Sequence, residues 1–154
     1  MLHEELRLEL RAAPAPLFEY LDDPCHLSEH MQRRGPALAG GAMNLVAEPH
    51  RGLGSGWRLE GRVLGLALRA DVQVTEYQPP WRKTWQTVAE PRLLVMGAYR
   101  MGFELQSQAA PVVSLRLWLD FEPTRWGPWV ARAYARWCLR EMATAARRAA
   151  ERSA

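Results

Sequence analysis

The order of periodicities along the chain predicts an α+β domain: a curved antiparallel sheet of about six or seven strands closed around a long C-terminal helix. Two observations carry this expectation. Six strand-like segments with a period of two run from Gly41 to Glu122, with no helix among them. An amphipathic stretch from about Pro128 to Glu151 follows the last of them. A helix that arrives after a complete meander can bury its apolar stripe only against one face of that sheet. Where the sheet curls around it, the space between them becomes a pocket.

The first element is a half-buried strand, with Leu2, Leu6, Leu8 and Leu10 on one parity and Glu5, Arg7, Glu9 and Arg11 on the other. Ala13-Pro14-Ala15-Pro16 ends it and places a proline in the first turn of a short helix over Leu17 to Leu21. Asp22-Asp23-Pro24 breaks that helix, and Asp23 is suited to cap a second one, Pro24 to Met31. Gln32 to Gly41 reads as a loop.

From there the period is two. Met43, Leu45 and Ala47 form one inward set, then Trp57, Leu59, Gly61 and Val63, then Leu66, Leu68, Ala70, Val72 and Val74. Gln78-Pro79-Pro80 is a turn, because two prolines cannot sit in a central strand. Trp81–Ala89, Leu93–Gln106 and Val112–Phe121 complete the sheet, with Tyr99, Met101, Phe103, Leu105, Leu115, Leu117, Leu119 and Phe121 expected to face inward. Short turns imply antiparallel pairing throughout. Gly127 and Pro128 mark the start of the terminal helix. Arg132, Arg136, Arg140 and Arg147 share one side of it, and Tyr134, Cys138, Met142, Ala145 and Ala149 the other. Glu141 projects toward the middle of that apolar side.

One strand, two short helices, a meander and a grasped C-terminal helix make the helix-grip arrangement. With it, the chain resembles the START-like (SRPBCC) superfamily, and within it the polyketide cyclase/dehydrase-like and coenzyme Q-binding-like group. The resemblance rests on Ala13-Pro14-Ala15-Pro16-Leu17-Phe18 leading to Leu21-Asp22-Asp23, and on Gly52-Leu53-Gly54-Ser55-Gly56-Trp57. Val74-Thr75-Glu76-Tyr77-Gln78-Pro79-Pro80-Trp81-Arg82 and the final helix complete it. Where the family carries a tryptophan after its early helices, Leu27-Ser28-Glu29-His30-Met31 stands here. The resemblance implies a deep apolar cavity for lipids, polyketides, quinones or similar molecules. It brings no shared catalytic set.

Composition bounds the remaining classes. The 154 residues are the length of one domain, 1–154, with 48% hydrophobic and 24% charged residues. No apolar stretch is long enough for a bilayer and the N-terminal stretch has no run suited to export, so the expected location is cytoplasmic. Cys25 and Cys138 match no disulfide framework or zinc spacing. Nineteen of the 20 basic residues are arginine and Lys83 is the only lysine, a bias that a bacterial genome of high GC content produces.

Several motifs reduce to ordinary structure. Gly52, Gly54 and Gly56 precede a strand, whereas a phosphate cradle needs them to open a helix. His26 and His30 share a helix face beside Cys25 or Glu29, short of the three or four ligands zinc takes, and His3 and His50 do not group with them. No metal and no cofactor are therefore expected. The arginine stripe lacks the interleaved aromatics of a stacking platform, so no nucleic-acid partner is expected. No integral membrane association is expected either, and Trp126 and Trp129 are read as closing the mouth of the core. Transient contact of that pair with a membrane surface is the alternative.

The expected function is binding of a small hydrophobic molecule between sheet and helix. Its lining is expected from Trp57, Leu59, Leu68, Val72, Trp85, Tyr99, Met101, Phe103, Leu117, Tyr134, Cys138, Glu141 and Met142. The enzymatic alternative is a cyclase, dehydratase or aromatase with Glu141 as acid/base and Tyr134 or Tyr99 as proton relay or oxyanion donor. In the ordinary alternative Glu141 pairs with Arg69, Arg82 or Arg100. A third reading is a protein-interaction module with no ligand.

Overall fold

The structure, a computed structural model, describes residues 1–29 and 42–153. The expected loop at 32–41, His30 and Met31 lie outside the described residues.

Seven strands form one antiparallel sheet in the order β1-β7-β6-β5-β4-β3-β2. They are β1 (Leu2–Arg11), β2 (Ala42–Ala47), β3 (Gly56–Val63), β4 (Leu66–Gln78), β5 (Arg82–Arg92), β6 (Met96–Ser107) and β7 (Val112–Pro123). Two helices, α1 (Pro14–Asp22) and α2 (Pro24–Leu27), follow β1, and α3 (Pro128–Ser153) closes the described chain. This is the helix-grip fold.

Local chemistry sets each boundary. Pro14 opens α1 and the Asp23 carboxylate accepts a hydrogen bond from the Cys25 amide at 2.9 Å, capping α2 as expected. The β3–β4 hairpin turns on Leu64 and Gly65, with φ of 53° and 77°. Two successive positive values are what a tight hairpin matched to strand twist requires. Register shifts in β4 against β5, at Arg69/Asp71 and Val74/Glu76, and in β6 against β7, at Met96/Tyr99, bend the sheet around α3.

The sheet divides into two halves. β1 and β7 meet α3 directly and β6 meets α1, and in this half Phe103, Leu105, Leu115, Leu117 and Phe121 are fully buried. Small residues on the facing helix surface (Ala131, Ala135, Ala143 and Ala146) let it come close. The other half, β2 to β5, carries larger inward residues, Met43, Trp57, Leu59, Leu68 and Trp85. β5 pairs with β6 only from Arg82 to Gln86. Beyond Gln86 the two strands separate, and the Thr87 hydroxyl bridges to the Tyr99 amide (3.1 Å) and carbonyl (3.3 Å). Leu93 and Leu94, expected to begin a strand, lie instead in the connection between β5 and β6.

A candidate ligand cavity beside the terminal helix

A cavity of about 390 Å³ lies between the flank of α3 and the β2–β5 half of the sheet. Met43, Trp57, Leu59, Val63, Leu68, Trp85, Met101 and Leu119 form its floor. Leu21, Pro24, Leu27 and Ser28 bound it at the α1–α2 end. Val130, Ala133, Tyr134, Trp137, Cys138 and Met142 of α3, with Leu93, Leu94, Val95 and Met96, form the remaining wall. Aliphatic and aromatic side chains thus supply nearly all of it.

Of the residues expected from sequence, the cavity wall holds Trp57, Leu59, Leu68, Trp85, Tyr99, Met101, Tyr134, Cys138 and Met142. Four expected residues are elsewhere. Phe103, whose ring centre lies 5.3 Å from that of Phe18 on α1, and Leu117 of β7 are fully buried in the filled half, and Val72, the register partner of Trp57, is buried off the wall. Glu141 is half-buried and is not part of the wall. The buried face of α3 centres on Ala135, Leu139, Met142 and Ala146. At 3.6 residues per turn Glu141 points about 120° from that centre. The stripe read from sequence runs through the larger residues, whereas the alanines set the true axis of contact. Arg69 pairs with Asp71, Arg82 with Glu76 and Glu104, and Arg100 lies over the Trp118 ring.

Tyr99 and Tyr134 sit on the wall with Cys138, and the Tyr134 hydroxyl and Cys138 thiol interact one helical turn apart. Burial drives both phenols well above their ordinary pKa and the thiol to about 12. All three are therefore neutral at physiological pH. Trp126 and Trp129, expected to close the mouth, are exposed instead: 49% and 87% of their surfaces meet solvent. His26 stacks on Tyr20 at 3.9 Å and its Nδ1 meets the Tyr20 carbonyl at 2.8 Å. Among the described residues no three His, Cys, Asp or Glu side chains gather as a metal site would need.

The sequence reading missed one group. Lys83, the only lysine, is 3% exposed and is the one charged side chain on the cavity wall among the described residues. Its ammonium donates to the Asp22 carboxylate (2.7 Å) and to the Asp22 carbonyl (2.9 Å). The Tyr77 hydroxyl donates to the second carboxylate oxygen at 2.7 Å. The strand register makes this cluster: Tyr77, Lys83 and Phe103 are partners across β4, β5 and β6, so all three face inward. Burial lowers the Lys83 pKa and the Asp22 contact opposes that shift. The Lys83 nitrogen also stands 5.4 Å from the centre of the Trp57 ring and 5.7 Å from that of Trp85. Two sequence signals point to it: the uniqueness of the lysine, and its parity with Trp85, which is buried.

No described helix is long and apolar enough to cross a membrane. No family model matches the chain, and no curated protein matches it. Solved structures do. A protein from Thermus thermophilus superposes with a TM-score of 0.67 at 12% identity, over 99% of both chains. Ara h 8.0201 gives 0.64 at 12% identity over 94% of each chain. The ZhuI aromatase/cyclase from Streptomyces sp. R1128 gives 0.63 at 14% identity, over 96% of this chain and 90% of that one. At such identities the likeness is one of fold, and that fold is the START-like, helix-grip fold.

Proposed function

We propose that this START-like fold binds a small, predominantly apolar molecule in the cavity between α3 and the β2–β5 half of the sheet. The cavity itself carries the reading. Its volume of about 390 Å³ falls among small-molecule sites, and its wall is predominantly apolar, with Lys83 as the one charged side chain on it among the described residues. A side-chain core built only for stability would fill such a space, because unfilled volume costs packing energy. The ligand contacts then come from the wall residues Trp57, Leu59, Leu68, Trp85, Tyr99, Met101, Tyr134, Cys138 and Met142.

The cyclase reading is supported by the Streptomyces aromatase/cyclase among the similar structures. Glu141, its acid/base candidate, stands off the wall, and the phenols that remain, held protonated by burial, can donate hydrogen bonds but supply no base. Binding without chemistry is the reading the residues support better.

A neutral fluorescent probe such as N-phenylnaphthylamine tests it. The wild-type protein should bind the probe and release it to a medium-chain aliphatic competitor. Ala133→Trp, on an exposed residue of the wall, should weaken the probe by about tenfold or more while the thermal midpoint stays put. A wild-type protein that leaves the probe dark and carries no apolar molecule in native mass spectra would refute the proposal.

A further inference from the structure

We infer that the ligand carries a neutral carbonyl oxygen, which accepts a hydrogen bond from the Lys83 ammonium at the α1–α2 end of the cavity. This rests on the reading of the cavity as a binding site and names the chemistry of what it holds. An ammonium has three N–H donors. Two are committed to Asp22, through its Oδ1 at 2.7 Å and its backbone carbonyl at 2.9 Å. The neighbours that remain on the cavity side are the Trp57 and Trp85 rings, at 5.4 and 5.7 Å. A ring face is a weaker partner for N–H than an oxygen lone pair. The third donor therefore points a ligand's oxygen to one place.

Charge balance selects the kind of oxygen. The Asp22 carboxylate already neutralises Lys83, and its other oxygen is taken by the Tyr77 hydroxyl at 2.7 Å. The adjacent Arg51–Asp23 pair, 3.4 Å apart, is neutral as well. A ligand carboxylate would bring an uncompensated charge into an apolar enclosure, where its lost hydration goes unreplaced. A ketone or ester carbonyl completes the donor set and adds no charge. A hydrogen bond from a charged donor in such a site raises affinity by roughly ten- to a hundredfold.

The test is competition against bound N-phenylnaphthylamine by undecane, the methyl ketone undecanone and undecanoate at neutral pH. Undecanone should bind roughly ten- to a hundredfold more tightly than undecane, and more tightly than undecanoate. In the double variant Asp22→Asn with Lys83→Met, the ketone-to-alkane ratio should fall to within about threefold. Equal displacement by undecane and undecanone overturns this inference and leaves the cavity reading standing. Displacement by none of the three removes both. Undecanoate binding best, or a ketone preference that survives in the double variant, also overturns it. A measurement on the wild type alone needs no variant to fold: the infrared band of carbon-13-labelled undecanone carbonyl should lie at lower frequency bound than in hexane. A band at the hexane position rejects the hydrogen bond.

Discussion

Lys83 and Asp22 are the residues on which sequence and structure part most instructively. Asp22-Asp23 reads as a turn and a cap, and Asp23 is that cap. Asp22, one position earlier, is 5% exposed and bound to a lysine 61 residues away. Nothing local in the sequence announces a pairing that only the β4–β5 register and the α1 docking angle create. Lys83→Met alone should strand the Asp22 carboxylate in the interior and cost about 3–5 kcal/mol in urea unfolding. Adding Asp22→Asn should recover most of that loss. The Tyr77 phenol is raised from its ordinary value near 10 to about 12, by burial first and then by its bond to Asp22. A raised folded pKa means stability that is complete below pH 10 and lost as pH climbs through about 12. Tyr77→Phe should therefore flatten the alkaline limb of a stability-versus-pH profile. The cysteines divide in the same way. Cys25 is exposed, while burial holds the Cys138 thiol near pKa 12. A thiol reagent near neutral pH should label one site in the native state, and the second only in denaturant.

Among the elements, α3 shows what periodicity can and cannot specify. Its start and its apolar face were legible because Gly127-Pro128 and a 3.6-residue spacing are strong local signals. Its rotation was not, since large residues on the flank outweigh alanines in any hydropathy pattern. The arginine stripe is also more than a solvated face. Arg132 and Arg136 reach the Glu4 carboxylate of β1 at 2.9 and 3.2 Å. Glu4 shares the inward parity of Leu6 and Leu8, and burial pushes its pKa up, but the two guanidinium groups outweigh burial and hold it below the usual 4.5. Such a carboxylate stabilises above its unfolded pKa, and its contribution is lost as pH falls through the folded value. Glu4→Gln should accordingly lessen the acid sensitivity of the thermal midpoint below about pH 4.5. At the other end of the scale, Trp129→Ser should change stability by no more than about 0.5 kcal/mol, whereas Trp85→Ala should cost about 3–5 kcal/mol.

At the scale of the whole molecule, strand number, antiparallel order and the grasped helix followed from sequence, because alternation and turn chemistry are repeated in every segment. The division into a filled half and a hollow half did not. It depends on where β5 leaves β6, after Gln86, and on the register shift between Met96 and Tyr99. Phe103 and Leu117 have the same inward parity as Met101 and Leu119, yet only the latter two border the hollow. Parity assigns a face of the sheet; position along the strand decides whether helix or open space lies above it.

The burial of Lys83 also has a chemical consequence. Every other basic side chain that is not histidine is a guanidinium, so no lysine amine meets the solvent while the fold is intact. An acylating reagent too bulky for the cavity can capture this nitrogen only when β5 and α1 come apart. The extent of its modification over time, read as a mass increment on the peptide that contains residue 83, counts the openings of the fold and requires no engineered reporter.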